Sequence, residues 1–183
     1  SHEIRTPMNA ILGLSDILSG LITDNIQQEY LTSIKASGRS LLRLINDILD
    51  FGKVDLNKLE LNETEFNLYE FFQSSINIIR VKAEEKQLYL NFETLSKINQ
   101  IVISDQKRLK QVLLNILGNA VKYTNEGGIK VSVRMVTKKA STILFCDVTD
   151  TGVGIPKEKL GAIFEPFTQV KGEINFVEGT GLG

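Results

Sequence analysis

Four places along the 183-residue chain combine residue types that can do chemistry. His2, the only histidine, is followed by Glu3. A partly neutral imidazole can act as a nucleophile through a ring nitrogen, provided a neighbour fixes its tautomer and takes the proton. On a helix His2 shares a polar stripe with Arg5, Thr6, Asn9, Gly13 and Asp16, beside the apolar seam, so it is expected to face solvent. Pro7 removes the helix bond to the Glu3 carbonyl and is expected to bend the helix one turn beyond the histidine. The second place is a polar helix face of Arg108, Gln111, Asn115, Asn119 and Lys122, with Leu109, Leu113, Ile116 and Ala120 expected in the core. Amide oxygens four residues apart are hard neutral ligands suited to a Mg²⁺ that keeps several waters and bridges phosphates, and Lys122 adds a point charge. The set reads as a triphosphate clamp, with a plain solvated helix face as the alternative.

The third place is Asp150-Thr151-Gly152-Val153-Gly154, a carboxylate at a strand end followed by glycines that let backbone approach a ligand closely. An acceptor-only Asp suits an exocyclic amino group such as that of adenine. The fourth is Gly179-Thr180-Gly181-Leu182-Gly183, a loop whose N–H groups could cradle phosphates. Neither a Walker A pattern nor a dinucleotide fingerprint is present, because no strand directly precedes these last glycines.

The elements that must position these residues follow from composition and periodicity. Hydrophobic residues make up 42% of the chain and charged ones 23%, the range of an ordinary folded domain, which excludes a disordered or collagen-like chain. The net charge of −1 leaves no excess of positive charge for a nucleic-acid backbone or an anionic membrane, so neither is expected as a partner. A single cysteine cannot form an internal disulfide, and no apolar run reaches the ~18 residues of a membrane span. No basic stretch leading into an apolar one opens the chain, and it stops inside a glycine-rich run; a cytosol-compatible piece of something longer is expected.

Residues 1–60 read as helix almost throughout. Leu31, Ile34, Gly38, Leu41, Ile45 and Ile48 alternate three and four apart, the seam of a helix packed lengthwise on others. Ile4, Met8, Ile11, Leu18 and Ile22 line one face of an earlier helix, with Leu14, Ile17 and Leu21 on a neighbouring one. Asp24-Asn25 can turn the chain between the two. One hairpin cannot cover both stripes, whereas two hairpins in a four-helix bundle can, so a homodimer is expected. Nine of the fourteen glycines lie from Gly127 onward, and the grammar there changes. A helix is expected at Leu68–Glu85, strands near Leu88–Glu93 and Ile101–Ser104, and a helix from Gln106 to about Tyr123. Ile129, Val131, Val133 and Met135 alternate with polar residues as a strand with one buried face. Leu144, Cys146 and Val148 share a face in its partner, and parity puts Asp150 on that inward side. Cys146 is expected to be buried. This half reads as an α/β sandwich, with helices on one face of a mainly antiparallel sheet. Phe164 and Phe167 mark either a satellite cluster or a moving lid.

The order of these elements resembles a sensor histidine kinase of two-component systems over essentially the whole length. Ser1 to Asn9 is similar to the family's phosphoacceptor box, Asn115 to Thr124 to its asparagine box, and Asp150 to Gly154 to its first glycine box. Phe164–Phe167 matches its phenylalanine box, and Gly179–Gly183 the start of its second glycine box. The resemblance implies an α helical hairpin (dimeric four-helix bundle) followed by an α/β sandwich of the GHKL ATPase type, incomplete at its C-terminus. It implies a dimerisation and phosphoacceptor domain at 1–60 and a catalytic ATP-binding domain at 61–183. His2 would then accept the γ-phosphoryl group of ATP, Glu3 would assist as acid/base, and Thr6 would position a water for dephosphorylating a partner. Asn119 would bind Mg²⁺, Asn115, Lys122 and Tyr123 would line the nucleotide, and Asp150 would hold adenine. In gyrase-like relatives that hydrolyse ATP a glutamate stands four residues before the metal-binding asparagine. Here that residue is Asn115, which implies that water stays unactivated and ATP persists until His2 arrives.

The implied partners are a second copy of the chain and a response-regulator receiver domain, separate or fused, in a cytoplasmic segment of a sensor kinase, whether membrane-anchored or soluble. Two alternatives stay open from sequence: an ATP-binding dimeric scaffold, and a response-regulator phosphatase without net kinase activity. Transfer between units requires motion, and Phe51–Leu61, with Gly52, is the expected hinge.

Overall fold

A computed structural model of the chain describes residues 2–55, 59–98, 100–138 and 141–165. Two compact units emerge, one of residues 2–59 and one of residues 60–165.

The first unit is a helical hairpin, α1 (His2–Leu21) and α2 (Asn25–Asp55). α1 runs unbroken through Pro7. Asp24 starts α2 by accepting the Gln27 amide at 2.9 Å, the N-cap arrangement that satisfies an otherwise orphaned donor. Gln28, in the first turn of α2, donates through Nε2 to Ser19 O and Ile22 O, closing the carbonyl end of α1. A Lys35–Asp16 ion pair at 2.7 Å adds a tie between the helices and holds the Asp16 carboxyl below its ordinary range. Between the helices lie Ser15, Leu31 and Gly38. A Cβ on Gly38 would stand 2.9 Å from Leu12 Cδ2, so this position sets how closely the two backbones approach.

The expected single seam of α2 is in fact two. Leu31 and Gly38 turn inward, whereas Ile34, Leu41 and Ile48 are 47%, 44% and 50% exposed. Each set recurs every seven residues, so one helix carries one stripe for its own hairpin and another for a second packing partner. α2 continues through Gly52 to Asp55, so the part of the expected hinge from Phe51 to Asp55 is helical.

The second unit comprises β1 (Thr64–Asn67), α3 (Leu68–Glu85), β2 (Tyr89–Thr94), β3 (Ile101–Ser104), α4 (Gln106–Tyr123), β4 (Gly128–Lys138) and β5 (Ser141–Asp150), then a 3₁₀ turn at Lys157–Lys159. β1 and β3 pair antiparallel as a small ribbon, and the main sheet has the order β2-β4-β5. That sheet is mixed: β2 runs parallel to β4, and β5 antiparallel to it. The parallel pair is possible because β3 and α4 form the crossover between its strands.

Asn67 caps α3, accepting the Glu70 amide at 3.1 Å. Leu68, Phe71, Phe72, Ile76, Ile79 and Ala83 recur at helical spacing and are buried. α3 ends at Lys86 in a Schellman arrangement, Gln87 N donating to Glu84 O and Leu88 N to Ala83 O, both at 2.9 Å. Gln87 supplies the left-handed residue this requires, at φ 58°. Asp105 caps α4: Oδ1 accepts from Arg108 N at 3.0 Å and Oδ2 from Asn62 N at 2.9 Å. These backbone donors stabilise the carboxylate and hold its pKa below the ordinary range.

The face of α4 that reaches the core is Leu113, Leu117, Ala120 and Val121, at i, i+4, i+7 and i+8. Leu109 and Ile116, expected there, are 36% and 47% exposed. Apolar residues lie around most of this helix, and the packing of α3 and the sheet selects among them. Ile129, Val131 and Val133 are fully buried beneath the helices.

In β5, Asp150 pairs with Ile129, Val148 with Val131 and Cys146 with Val133. The parity read from sequence therefore holds, and Asp150 lies on the helix-covered face of the sheet. The expected burial does not: Cys146 and Asp150 are exposed and Val148 is half-buried. The reason is position, since β5 lies at an edge of the sheet among the described residues, with no strand beyond it. Desolvation, with the Asp147 charge beside it, still pushes the Cys146 thiol up to about 11, which makes it an unreactive thiol.

Candidate functional site

In the second unit the chemistry collects where the end of β5 meets the end of α4. Asp150 Oδ1 accepts the Gly152 amide at 2.9 Å, a turn built by the side chain's own bond two residues on. Val153 N then donates to Tyr123 O at 3.3 Å, fastening the turn to the last residue of α4. A Cβ on Gly152 would lie 2.5 Å from Tyr123 O and 2.8 Å from Asp150 Oδ1, so only glycine permits this approach. Thr151 secures the other side. Its hydroxyl donates to Glu126 O at 2.7 Å and accepts from Gly128 N at 3.0 Å, and its amide donates to Gly128 O at 3.1 Å. Gly127, at φ 89°, makes the left-handed bend that leads into β4 beside it.

Asn119 is one turn and Asn115 two turns back from Tyr123 along α4, and both are exposed. Lys122 is half-buried, its Nζ 5.0 Å from the centre of the Tyr123 ring, a cation–π contact that holds the ammonium beside the turn. The structure thus brings Asp150, Gly152, Tyr123, Lys122 and Asn119 into one neighbourhood. Gly154, at φ 69°, and the exposed Val153 continue it outward.

Among the described residues no cluster of three His, Cys, Asp or Glu side chains could cage a metal. The donor set of amide oxygens fits a hard cation that takes most of its ligands from water and a polyphosphate.

In the hairpin, His2 opens α1, and Glu3 and Thr6 follow on it, both exposed. Arg5 Nη2 donates to Asn46 Oδ1 at 2.9 Å, joining this first turn to α2. Phe164 is 89% exposed, which counts against the satellite cluster, one of its two readings. Pro166, Phe167 and the loop Gly179, Thr180, Gly181 and Gly183 lie outside the described residues.

Three residues build the site through bonds that the sequence does not assign to them. They are Thr151, Thr124, whose buried hydroxyl donates to Ala120 O at 2.7 Å, and Lys86, whose ammonium reaches carbonyls at the end of α4. All three act on backbone groups, which leave no periodic pattern.

Residues 1–57 match the His Kinase A (phospho-acceptor) domain family, and residues 104–183 the Histidine kinase-, DNA gyrase B-, and HSP90-like ATPase family. The chain belongs to the histidine kinase family. One relative is hybrid signal transduction histidine kinase B of Dictyostelium discoideum, 40% identical over 185 residues, a match that takes in 100% of this chain and 9% of the relative. Among solved structures, full-length ShkA in complex with AMPPNP superposes with a TM-score of 0.77 at 30% identity, over 99% of this chain and 37% of that one. The histidine kinase ThkA in complex with the response regulator protein TrrA gives a TM-score of 0.54 at 27% identity, over 92% of this chain and 48% of ThkA's. This histidine kinase chain therefore spans a minor part of the length of the curated relatives it matches. Its helical hairpin followed by an α/β domain is the family's architecture. Among its described residues no helix is long and apolar enough to cross a membrane.

Proposed function

We propose that the protein is an ATP-dependent histidine kinase that phosphorylates itself on His2 and passes the group to an aspartate of a response-regulator receiver domain. The observation that carries this is the junction of the Asp150–Gly154 turn with the last turn of α4, in a unit of ATPase kind joined to a hairpin that opens with His2. Residues 1–60 act as the dimerisation and phosphoacceptor domain and 61–183 as the ATP-binding domain.

Asp150 accepts the exocyclic amine of adenine, with Gly152 seating the turn against Tyr123 and Gly154 leaving open space beside the backbone. Tyr123, Lys122 and Asn115 line the nucleotide, and the N–H groups of Gly179, Thr180, Gly181 and Gly183 close on the phosphates. Asn119 would hold Mg²⁺, which would supply positive charge to offset that of the phosphates. A ring nitrogen of His2 attacks the γ-phosphorus, so that a P–N bond forms as the bond from phosphorus to the β,γ-bridging oxygen breaks. ADP leaves with that electron pair, and Glu3 accepts the imidazole proton. Thr6 positions a water for removing the phosphoryl group from the partner. The outward stripe Ile34, Leu41 and Ile48 supports a second copy of the hairpin as the dimer partner.

The test is incubation of the intact protein with γ-labelled ATP and Mg²⁺, comparing wild type with His2→Gln. Label that is acid-labile, base-stable and absent from the variant is the expected result. ATP binding without any label would instead point to the scaffold or to the phosphatase.

A further inference from the structure

We propose that Lys86 is a positioning residue for the nucleotide site, holding the last turn of α4 against the Asp150–Gly154 turn. The inference rests on the nucleotide reading of those two segments. An α-helix ends in four carbonyls that its own amides do not reach. In α4 these are Ala120, Val121, Lys122 and Tyr123, and each has a partner from outside the helical ladder. Ala120 O accepts from Thr124 Oγ1 at 2.7 Å, Val121 O and Lys122 O accept from Lys86 Nζ at 2.9 Å each, and Tyr123 O accepts from Val153 N at 3.3 Å. A third bond from Lys86 Nζ, at 3.2 Å, goes to Thr124 O. An ammonium has three donors, and here all three converge on one helix end.

Lys86 is itself placed with care. It is the C-cap of α3, and the bonds of Gln87 to Glu84 O and Leu88 to Ala83 O fix the chain on its far side. Lys86 thus serves the carbonyl ends of two helices, α3 through its backbone amide and α4 through its ammonium. The end of α4 is held from two directions, by Lys86 on the carbonyls of Val121, Lys122 and Thr124, and by the glycine turn on that of Tyr123. Lys122 and Tyr123 belong to that last turn, and Asn119 directly precedes it. Releasing Lys86 removes one donor each from Val121 O, Lys122 O and Thr124 O and lets the turn drift from Asp150. Adenine and phosphates then no longer meet their two sets of contacts in one geometry. The prediction is a binding defect, not a defect in transfer.

The experiment measures KM for ATP and the saturating rate of His2 labelling in the intact protein, together with the melting temperature. Lys86→Met is expected to raise KM about tenfold and to change the saturating rate less than about twofold. Lys86→Arg keeps the charge, but its planar fork cannot converge on three carbonyls, and it is expected to raise KM about threefold. It also carries the test if Lys86→Met does not fold. Ile79→Val, a core change in α3, serves as the control: it lowers the melting temperature and leaves KM alone. Unchanged KM in both Lys86 variants, or a shift no larger than that of Ile79→Val, overturns the proposal. Asn119→Ala separates this from failure of the nucleotide reading. If it loses ATP while Lys86→Met keeps it, only the role of Lys86 falls; if it binds ATP as wild type does, both fall.

Discussion

The hairpin and the α/β unit are built from helices of similar periodicity, yet they dispose of their apolar residues in opposite ways. In 60–165, side chains from Phe66 to Val133 close on one core, with Leu117, Ile129, Val131 and Val133 fully buried. In 2–55 the buried positions are Ser15, Leu31 and Gly38, while Ile4, Leu14, Ile17, Leu21, Ile34, Leu41 and Ile48 stand at 44% exposure or more. The difference teaches that amphipathic spacing specifies how many packing partners a helix needs, and the helices of the hairpin meet fewer of theirs within their own unit than α3 and α4 do. A helical hairpin that leaves a continuous apolar stripe uncovered is stable only when another surface takes that stripe.

The comparison can be broken most decisively by charging the outward stripe. Ile34→Asp combined with Leu41→Asp is expected to abolish dimerisation and melt most of the hairpin, while ATP binding by the α/β unit survives. Sedimentation and helix content by circular dichroism check this, and a dimer that persists would mean the stripe is not the interface. The reciprocal change is Leu117→Ala, which empties a site of zero exposure. It is expected to cost the α/β unit about 2–5 kcal/mol in denaturant unfolding while leaving the hairpin transition in place.

The smallest effect concerns acid. Asp105 and Asp16 both have lowered pKa values, but Asp105 is held by backbone amides inside the structure and the exposed Asp16 by Lys35. A carboxylate with a depressed folded pKa contributes stability above its unfolded value of about 3.9, and the contribution is lost as pH falls through the lower folded value. Unfolding titrations below about pH 4 should therefore show the α/β unit losing stability in a manner that Asp105→Asn flattens and salt hardly changes. The contribution of Asp16 to the hairpin should fade in high salt.

Much of this was legible in the amino-acid order. α3, β3 and α4 begin and end where capping residues and periodicity place them, at Leu68–Glu85, Ile101–Ser104 and Gln106–Tyr123. β1 was not, because Thr64–Asn67 is too short to show an alternation and exists by pairing with β3. The core face of α4 was misassigned at Leu109 and Ile116 because apolar residues surround that helix and tertiary packing makes the choice. For the candidate site, sequence offered residue types: a histidine, paired amides, a carboxylate with glycines. It could not show what builds their neighbourhood. Thr151 bonds across 25 residues to Glu126 O, and Lys86 across 35 to Val121 O, through backbone carbonyls that every residue has.

The parallel pairing of β2 with β4 also has a consequence in time. Tyr89 and Leu90 find their places only beside Gly128 and Ile129, about 40 residues downstream, whereas the turn-linked helices of the hairpin meet almost as soon as they exist. At 5–20 residues per second, β2 waits roughly 2–8 s on the ribosome for its neighbour. Closing so long a loop is entropically costly before any contact rewards it. During that interval Leu88, Leu90 and Phe92 have only α3 to shelter them. The α/β unit, the more self-sufficient of the two once folded, is thus the more vulnerable while being made.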